Sequence, residues 1–267
     1  MKKFVFDLGV TKAIANTMTH VLDSTIRTYL ERTVPRLMLV LDPIKVVFEN
    51  LDDDYVEERE VPFDPKDPAK GTHKVPFTKT IYIDRDDFRE VDDPDFFRLA
   101  PGKSVGLLNV QHPIRAISLS KDEASGKVTE IKAEYGEHVP LGKARIHWVG
   151  ESAAHNSPVK ADVRIFNPLF KSQKPNELDW KNGGYYDNLN PESEVVYHNA
   201  MIECGFKEIR EKAPWPKEEG EAKGTFDNSS VRFQGLRTAF FALDSDTTDD
   251  KIVLNRIVSL KEDTGKK

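Results

Sequence analysis

The stretch RFQGLRTAFFALD, residues 232–244, ends like a buried strand but begins with side chains that such a strand rarely carries. Gln234 and Arg237 interrupt the apolar run, and Gly235 sits between them. Both polar residues suit the edge of a nucleic-acid base. A glutamine amide donates and accepts at once, and an arginine offers a fork of donors matching guanine O6 and N7. The alternative is an exposed, polar strand end. Further basic residues, Arg36, Lys103, Arg115, Arg145, Arg164 and Arg232, lie near the aromatic residues Phe97, Trp148, Phe166, Phe233 and Phe240. Unpaired RNA bases are bound by β-surfaces that combine such donors with aromatic or guanidinium faces for stacking.

Catalytic patterns are weaker. GKSVG (102–106) fits G-x-S-x-G, but a nucleophile elbow needs a strand before it and a helix after it. Here Pro101 precedes it and the strand-like LLNV follows, so a turn into a strand is expected. GKS also resembles the tail of a phosphate loop, yet Phe97 occupies the position of the required earlier glycine. The seven histidines are scattered, and His147 beside Trp148 reads as part of a half-buried strand. Asp86-Asp87 and Asp92-Asp93 fall in polar turns. No catalytic residues and no metal or cofactor ligands emerge. The single cysteine, Cys204, can form no internal disulfide, which suits a reducing, cytosolic setting.

These residues must be positioned by some scaffold. The chain has 267 residues, 38% hydrophobic and 31% charged, enough for one large or two modest domains with a real core. It contains neither an apolar run of membrane-spanning length nor a secretory signal. The net charge of −6 argues weakly against nucleic acid, but the charge is uneven. Residues 49–60 carry seven acids against one base, while 98–175 carry twelve Lys/Arg against seven Asp/Glu. The first 33 residues read as helical. Gly9 is a C′ candidate, Met18, Val21, Leu22, Ile26, Tyr29 and Leu30 recur at helical spacing, and Pro35 is the stop. Short strand-like runs then follow one another without alternating helices, which points to antiparallel barrels or sandwiches. SKDEASGK reads as a hairpin turn. Two polar connections, 52–74 and 211–230, are expected to be mobile or to lie on the surface. Within RFQGLR, strict alternation would send Gln234 and Arg237 to opposite faces. A β-bulge at Gly235 would bring them onto one face.

VPRLMLVLDPIKVVFEN, VPFTKTIYIDRDDFRE, ARIHWV, NPESEVV and LNRIVSLKED together resemble the C-terminal half of glutaminyl-tRNA synthetases of the eukaryotic cytosolic type, fungal ones included. The resemblance runs from GVTK to the final LKED. It implies a mainly β chain with two antiparallel, ribosomal-protein-like β-barrels after a short α-helical segment. Residues 1–34 would be a helical connection to a catalytic domain, 35–74 with 188–267 a proximal barrel, and 75–187 a distal barrel. The function implied is anticodon recognition on glutamine tRNA by a cytoplasmic, monomeric ligase without membrane contact. The class I catalytic domain, with its HIGH-like and KMSKS-like motifs, ATP and Mg2+, would lie elsewhere, since neither motif occurs here. The chain should not activate glutamine by itself.

In the family, the positions of Arg36 and Gln234 contact the central anticodon uridine. The position of Arg237 contacts the third base, a guanosine, and the position of Lys103 lies near that base. Arg115 and Arg232 are further possible RNA contacts. Where the bacterial pattern has R-L-R, this chain has Gly106, Leu107 and Leu108. Glutamyl-tRNA synthetases of eukaryotes and archaea share the F-Q-x-x-R run, so that run alone leaves glutamate open. A ribosomal-protein-like RNA-binding barrel without ligase ancestry is the other alternative.

Overall fold

The computed structural model describes residues 2–9, 12, 19–178, 181, 183–215 and 227–261. Two helices come first, Lys2–Leu8 and Thr19–Thr33. Gly9 ends the former with φ +73°, its N–H bonded to the Phe6 carbonyl at 3.1 Å, as a C′ glycine should. Met18 lies outside the described residues. The longer helix stops before Pro35, which disfavours helical geometry at the preceding residue. Its Leu30, with Val34, packs on Phe240 and Val258.

The chain is mainly β, with two seven-stranded sheets. In the first the spatial order is Arg36–Leu37, Arg232–Gly235, Ala239–Leu243, Ile252–Ser259, Val159–Phe166, Glu194–Ile202 and Leu39–Val40. The sheet thus begins and ends on the two halves of one segment, 36–40, interrupted at Met38, and so curls toward a barrel; of the two barrel-like sheets one is nearly closed and the other a half-barrel. The second repeats the device: its order is Arg145–Ile146, Ser104–Leu107, Ile114–Lys121, Val128–Tyr135, Pro43–Phe48, Thr80–Asp84 and Val149–Gly150. Here the interrupted segment is 145–150, broken at His147-Trp148. Trp148 is fully buried, donates from Nε1 to the Leu108 carbonyl at 2.8 Å, and meets Phe77 edge-on at 5.3 Å.

Pairing is mostly antiparallel, but each barrel also holds two parallel pairs. They are 36–37 with 234–235 and 161–164 with 252–255 in the first, and 45–48 with 130–133 and 145–146 with 106–107 in the second. The turn 122–126 joins its two strands as a hairpin, with Gly126 at φ +68°. GKSVG is a turn into a strand, Gly102 taking φ +75° before Ser104–Leu107.

Strand pairing divides the barrels differently from the expected 35–74 plus 188–267 against 75–187. Pro43–Phe48 belongs to the second sheet and Val159–Phe166 to the first. The reason lies in 36–40, buried on both faces: Leu37 and Leu39 enter the first core, Met38 and Val40 the second. A strand with two dry faces reads as an unbroken apolar run, which hides where one barrel hands over to the other.

The connection 52–74 is likewise more than a surface loop. Val56–Pro62 pairs with Thr72–Thr78 as a two-stranded hairpin. Its acids are answered locally, Glu58 by Lys74 and His155, and Glu60 by Thr72. Its inner residues reach both cores, Val61, Val75 and Phe77 the second and Phe63 the first. From the hairpin, His73 meets the fully buried Glu203 at 3.0 Å. Helix Gly205–Lys212 then plugs the first barrel with Phe206 and Ile209. Of the connection 211–230, residues 216–226 lie outside the described residues. No described helix is long and apolar enough to cross a membrane.

Candidate nucleic-acid interface

Arg36 and Gln234 are direct partners in a parallel register, so their side chains share one face. The Gln234 N–H bonds the Pro35 carbonyl at 2.8 Å. Its side-chain amide has no partner among the described residues, leaving a donor and an acceptor free. Arg36 is held by Asp64, Nη2 to Oδ1 at 3.4 Å, and its Nε is buried without a partner among the described residues. Asp64 also takes Lys70 Nζ at 2.8 Å and the Lys66 N–H at 3.0 Å. Burial pushes this carboxyl up, but the bonds from Lys70 and Lys66 and the charge of Arg36 outweigh it and hold it below its usual range.

The expected bulge at Gly235 is absent. Pairing is regular, Gln234 with Phe240 and Gly235 with Ala239, and the register shift falls on the next ladder, between Phe240 and Phe241. The glycine meets a packing need instead: an added Cβ would lie 2.9 Å from Phe241 Cε2 and 3.2 Å from Leu39 Cδ2. After Gly235 the chain turns, closed by the Thr238 N–H to the Gly235 carbonyl at 3.0 Å. Arg237 occupies the turn position that needs positive φ, at +64°. For a residue with a Cβ this costs about 1–2 kcal/mol and persists only where surroundings enforce it.

The turn carries Arg237 away from Gln234 toward the second barrel. There Nη1 donates to Asp87 Oδ2 at 2.7 Å and Nη2 to Asp87 Oδ1 at 2.8 Å. Nη1 also lies 3.1 Å from His147 Nδ1. Asp87 sits in a short 3-10 turn, Arg85–Asp87, capped by Asp84, and Arg98 Nε approaches it at 3.3 Å. His147 lies in the break of the closing segment. Burial lowers its pKa to about 4 against the attraction of Asp87, with Arg237 and Arg98 lowering it further. The ring is therefore neutral near pH 7, and Nδ1 accepts.

Around this pair is a cleft of about 310 Å³, lined by Asp42, Asp84, Asp86, Arg98, Tyr197 and Arg237 among others. Burial raises the Tyr197 phenol, and the charges of Asp84, Asp86 and Asp42 raise it further. Such a cleft repels phosphate and suits a neutral group carrying both donors and acceptors, which is the character of a base edge.

The other basic candidates lie apart from this cleft. Lys103 donates to Asp92 Oδ1 at 2.5 Å and to the carbonyls of Asp93 and Phe96 at 3.1 and 2.5 Å, clasping its own loop. Arg115 pairs with Glu134 across a ladder. Arg232 donates to the Ser229 carbonyl at 2.9 Å and lines an apolar groove beside helix Thr19–Thr33. By sequence Asp87 belongs to a polar turn and His147 to a strand. Their link to Arg237 spans 150 and 90 positions, and no local spacing could reveal it.

Two family models, both described as the anticodon-binding domain of class I tRNA synthetases (E and Q), match residues 34–136 and 145–214. Among curated proteins, the chain is 52% identical over 98% of its length to the glutamine–tRNA ligase protein virJ of Hypocrea virens, of which it covers 39%. It is 46% identical over 99% of its length to a probable glutamine–tRNA ligase of Schizosaccharomyces pombe, covering 33%. It is 36% identical over 98% of its length to a cytoplasmic glutamine–tRNA ligase of Arabidopsis thaliana, covering 31%. The chain thus spans about a third of the length of these relatives.

Proposed function

Because the chain belongs to the anticodon-binding domains of class I glutamate and glutamine tRNA synthetases, we propose that it binds the anticodon arm of glutamine tRNA and reads its anticodon. The names of the relatives favour glutamine over glutamate. The observation that supports readout most is Arg237, held in an unfavourable backbone conformation beside a cleft large enough for a base. Arg36 and Gln234 form a second pair of base-edge groups, suited to the central uridine. Lys103, Arg115 and Arg232 line no part of this cleft, so at most phosphate contacts are assigned to them.

In this reading the domain works within a monomeric cytoplasmic ligase, in keeping with the cytoplasmic Arabidopsis relative. Joining glutamine to tRNA, with ATP and Mg2+, would belong to a catalytic domain and not to these barrels.

The test is a comparison of affinity for glutamine tRNA and for the same tRNA altered only at the central anticodon base. Equal affinities would sink the readout. Binding should also weaken linearly in log–log form as salt rises, through counterion release. Arg237→Ala should cost about 1–3 kcal/mol and relax discrimination at the third anticodon base. An equal loss for every tRNA would mark Arg237 as a phosphate contact.

A further inference from the structure

A guanidinium carries five N–H donors in one plane, an end fork on Nη1 and Nη2 and a side fork on Nε and Nη2. In Arg237 the end fork is filled by the two oxygens of Asp87. The remaining Nη1 proton goes to His147 Nδ1, since an arginine cannot accept and the histidine is neutral. Three donors are therefore spoken for. The two left over, Nε–H and the second Nη2–H, lie parallel on one edge and have no partner among the described residues. Asp87 itself is fixed: it is 2% exposed, its turn is capped by Asp84, and Arg98 braces its Oδ1.

We propose that Asp87 is a positioning residue for base readout: with His147 it occupies the end fork of Arg237 and so presents the side fork to a base with two adjacent acceptors, a guanine. The proposal rests on the reading that Arg237 faces the third anticodon base. It adds that the selecting edge is chosen by a carboxylate on the other barrel. An adenine offers that side fork one acceptor and one donor, so it leaves one arginine proton unpaired. The alternative is that Asp87 competes with the base for the arginine and must be displaced.

The experiment measures binding of the full chain to glutamine tRNA transcripts with guanosine or adenosine at the third anticodon position. The wild-type chain should prefer guanosine by about tenfold or more. Asp87→Asn keeps the size but cannot accept from both nitrogens. It should shrink the preference to about threefold or less, mainly by weakening the guanosine complex, as befits a lost bidentate contact. A parallel loss for both transcripts would make Asp87 merely structural and overturn the proposal. Tighter guanosine binding would mean competition and overturn it too. A wild-type chain without preference would defeat the underlying reading, a different failure visible before any variant is made. Thermal unfolding is followed alongside. Should Asp87→Asn melt below the assay temperature, Asp87→Glu keeps the charge and shifts the carboxylate. Its preference must fall with the fold intact, and an unchanged preference overturns the proposal.

Discussion

Replacing Glu203 with alanine should destabilise the chain by about 1–3 kcal/mol or more, the usual cost of leaving a buried polar partner unsatisfied. Glu203 is fully buried at the end of the strand Glu194–Ile202, and its Oε1 lies 3.0 Å from His73 Nε2. His73 is almost as deep, stacked on Phe63 with ring centroids 4.3 Å apart. Neither His73 Nδ1 nor Glu203 Oε2 has a partner among the described residues. Alanine would therefore strand the imidazole at both nitrogens. Urea unfolding of Glu203→Ala, Glu203→Gln and the apolar double variant His73→Phe with Glu203→Leu would measure the loss. The double variant should recover much of the loss, because an apolar pair leaves nothing unsatisfied. A single-variant loss too small to resolve would show that the contact does not hold the hairpin to the first barrel.

Gly150→Ala should cost about 3 kcal/mol or more through overpacking. Gly150 lies in the closing segment of the second barrel, opposite Ile81. An added Cβ would overlap the Pro76 carbonyl oxygen and lie 3.4 Å from Trp148 Cζ3. The obstacle is backbone, so no rotamer change relieves it. Relief requires moving the hairpin strand Thr72–Thr78 or opening the barrel. Gly102→Ala is the comparison: its Cβ meets nothing within 4 Å, so its cost is the backbone term alone, about 1–2 kcal/mol at φ +75°. Denaturation midpoints should fall further for Gly150→Ala than for Gly102→Ala. The reverse order would remove close approach as the reason for a glycine there.

Much of the scaffold was legible because the signals are local. The helix over 19–33 announces itself through Leu22, Ile26, Tyr29 and Leu30, and Pro35 marks its end. SKDEASGK declares a hairpin through its own turn chemistry. The hairpin 56–78 was not legible. VEEREVP puts charged residues on both faces, so the two-residue alternation that marks a half-buried strand is missing. At the site, side-chain chemistry and family resemblance point to Arg36, Gln234 and Arg237, but not to the turn that separates the last two. A glycine between two polar residues suggests a bulge as readily as close packing followed by a turn. Only the contact of Gly235 with Phe241 and Leu39 separates the two. Asp87 could not have been found locally: within IDRDDF it looks like any turn acid, and its partner comes from the other barrel.

The segment 36–40 has a bearing on how this molecule comes apart. Its Leu37 and Leu39 fill one core and its Met38 and Val40 the other, so neither barrel can lose it and remain sealed. The two barrels should therefore melt as a single cooperative unit, with fluorescence from Trp148 in the second barrel and Trp215 beside the first core reporting the same midpoint. No cut in the chain yields two independent halves, because each half would need its own copy of those five residues.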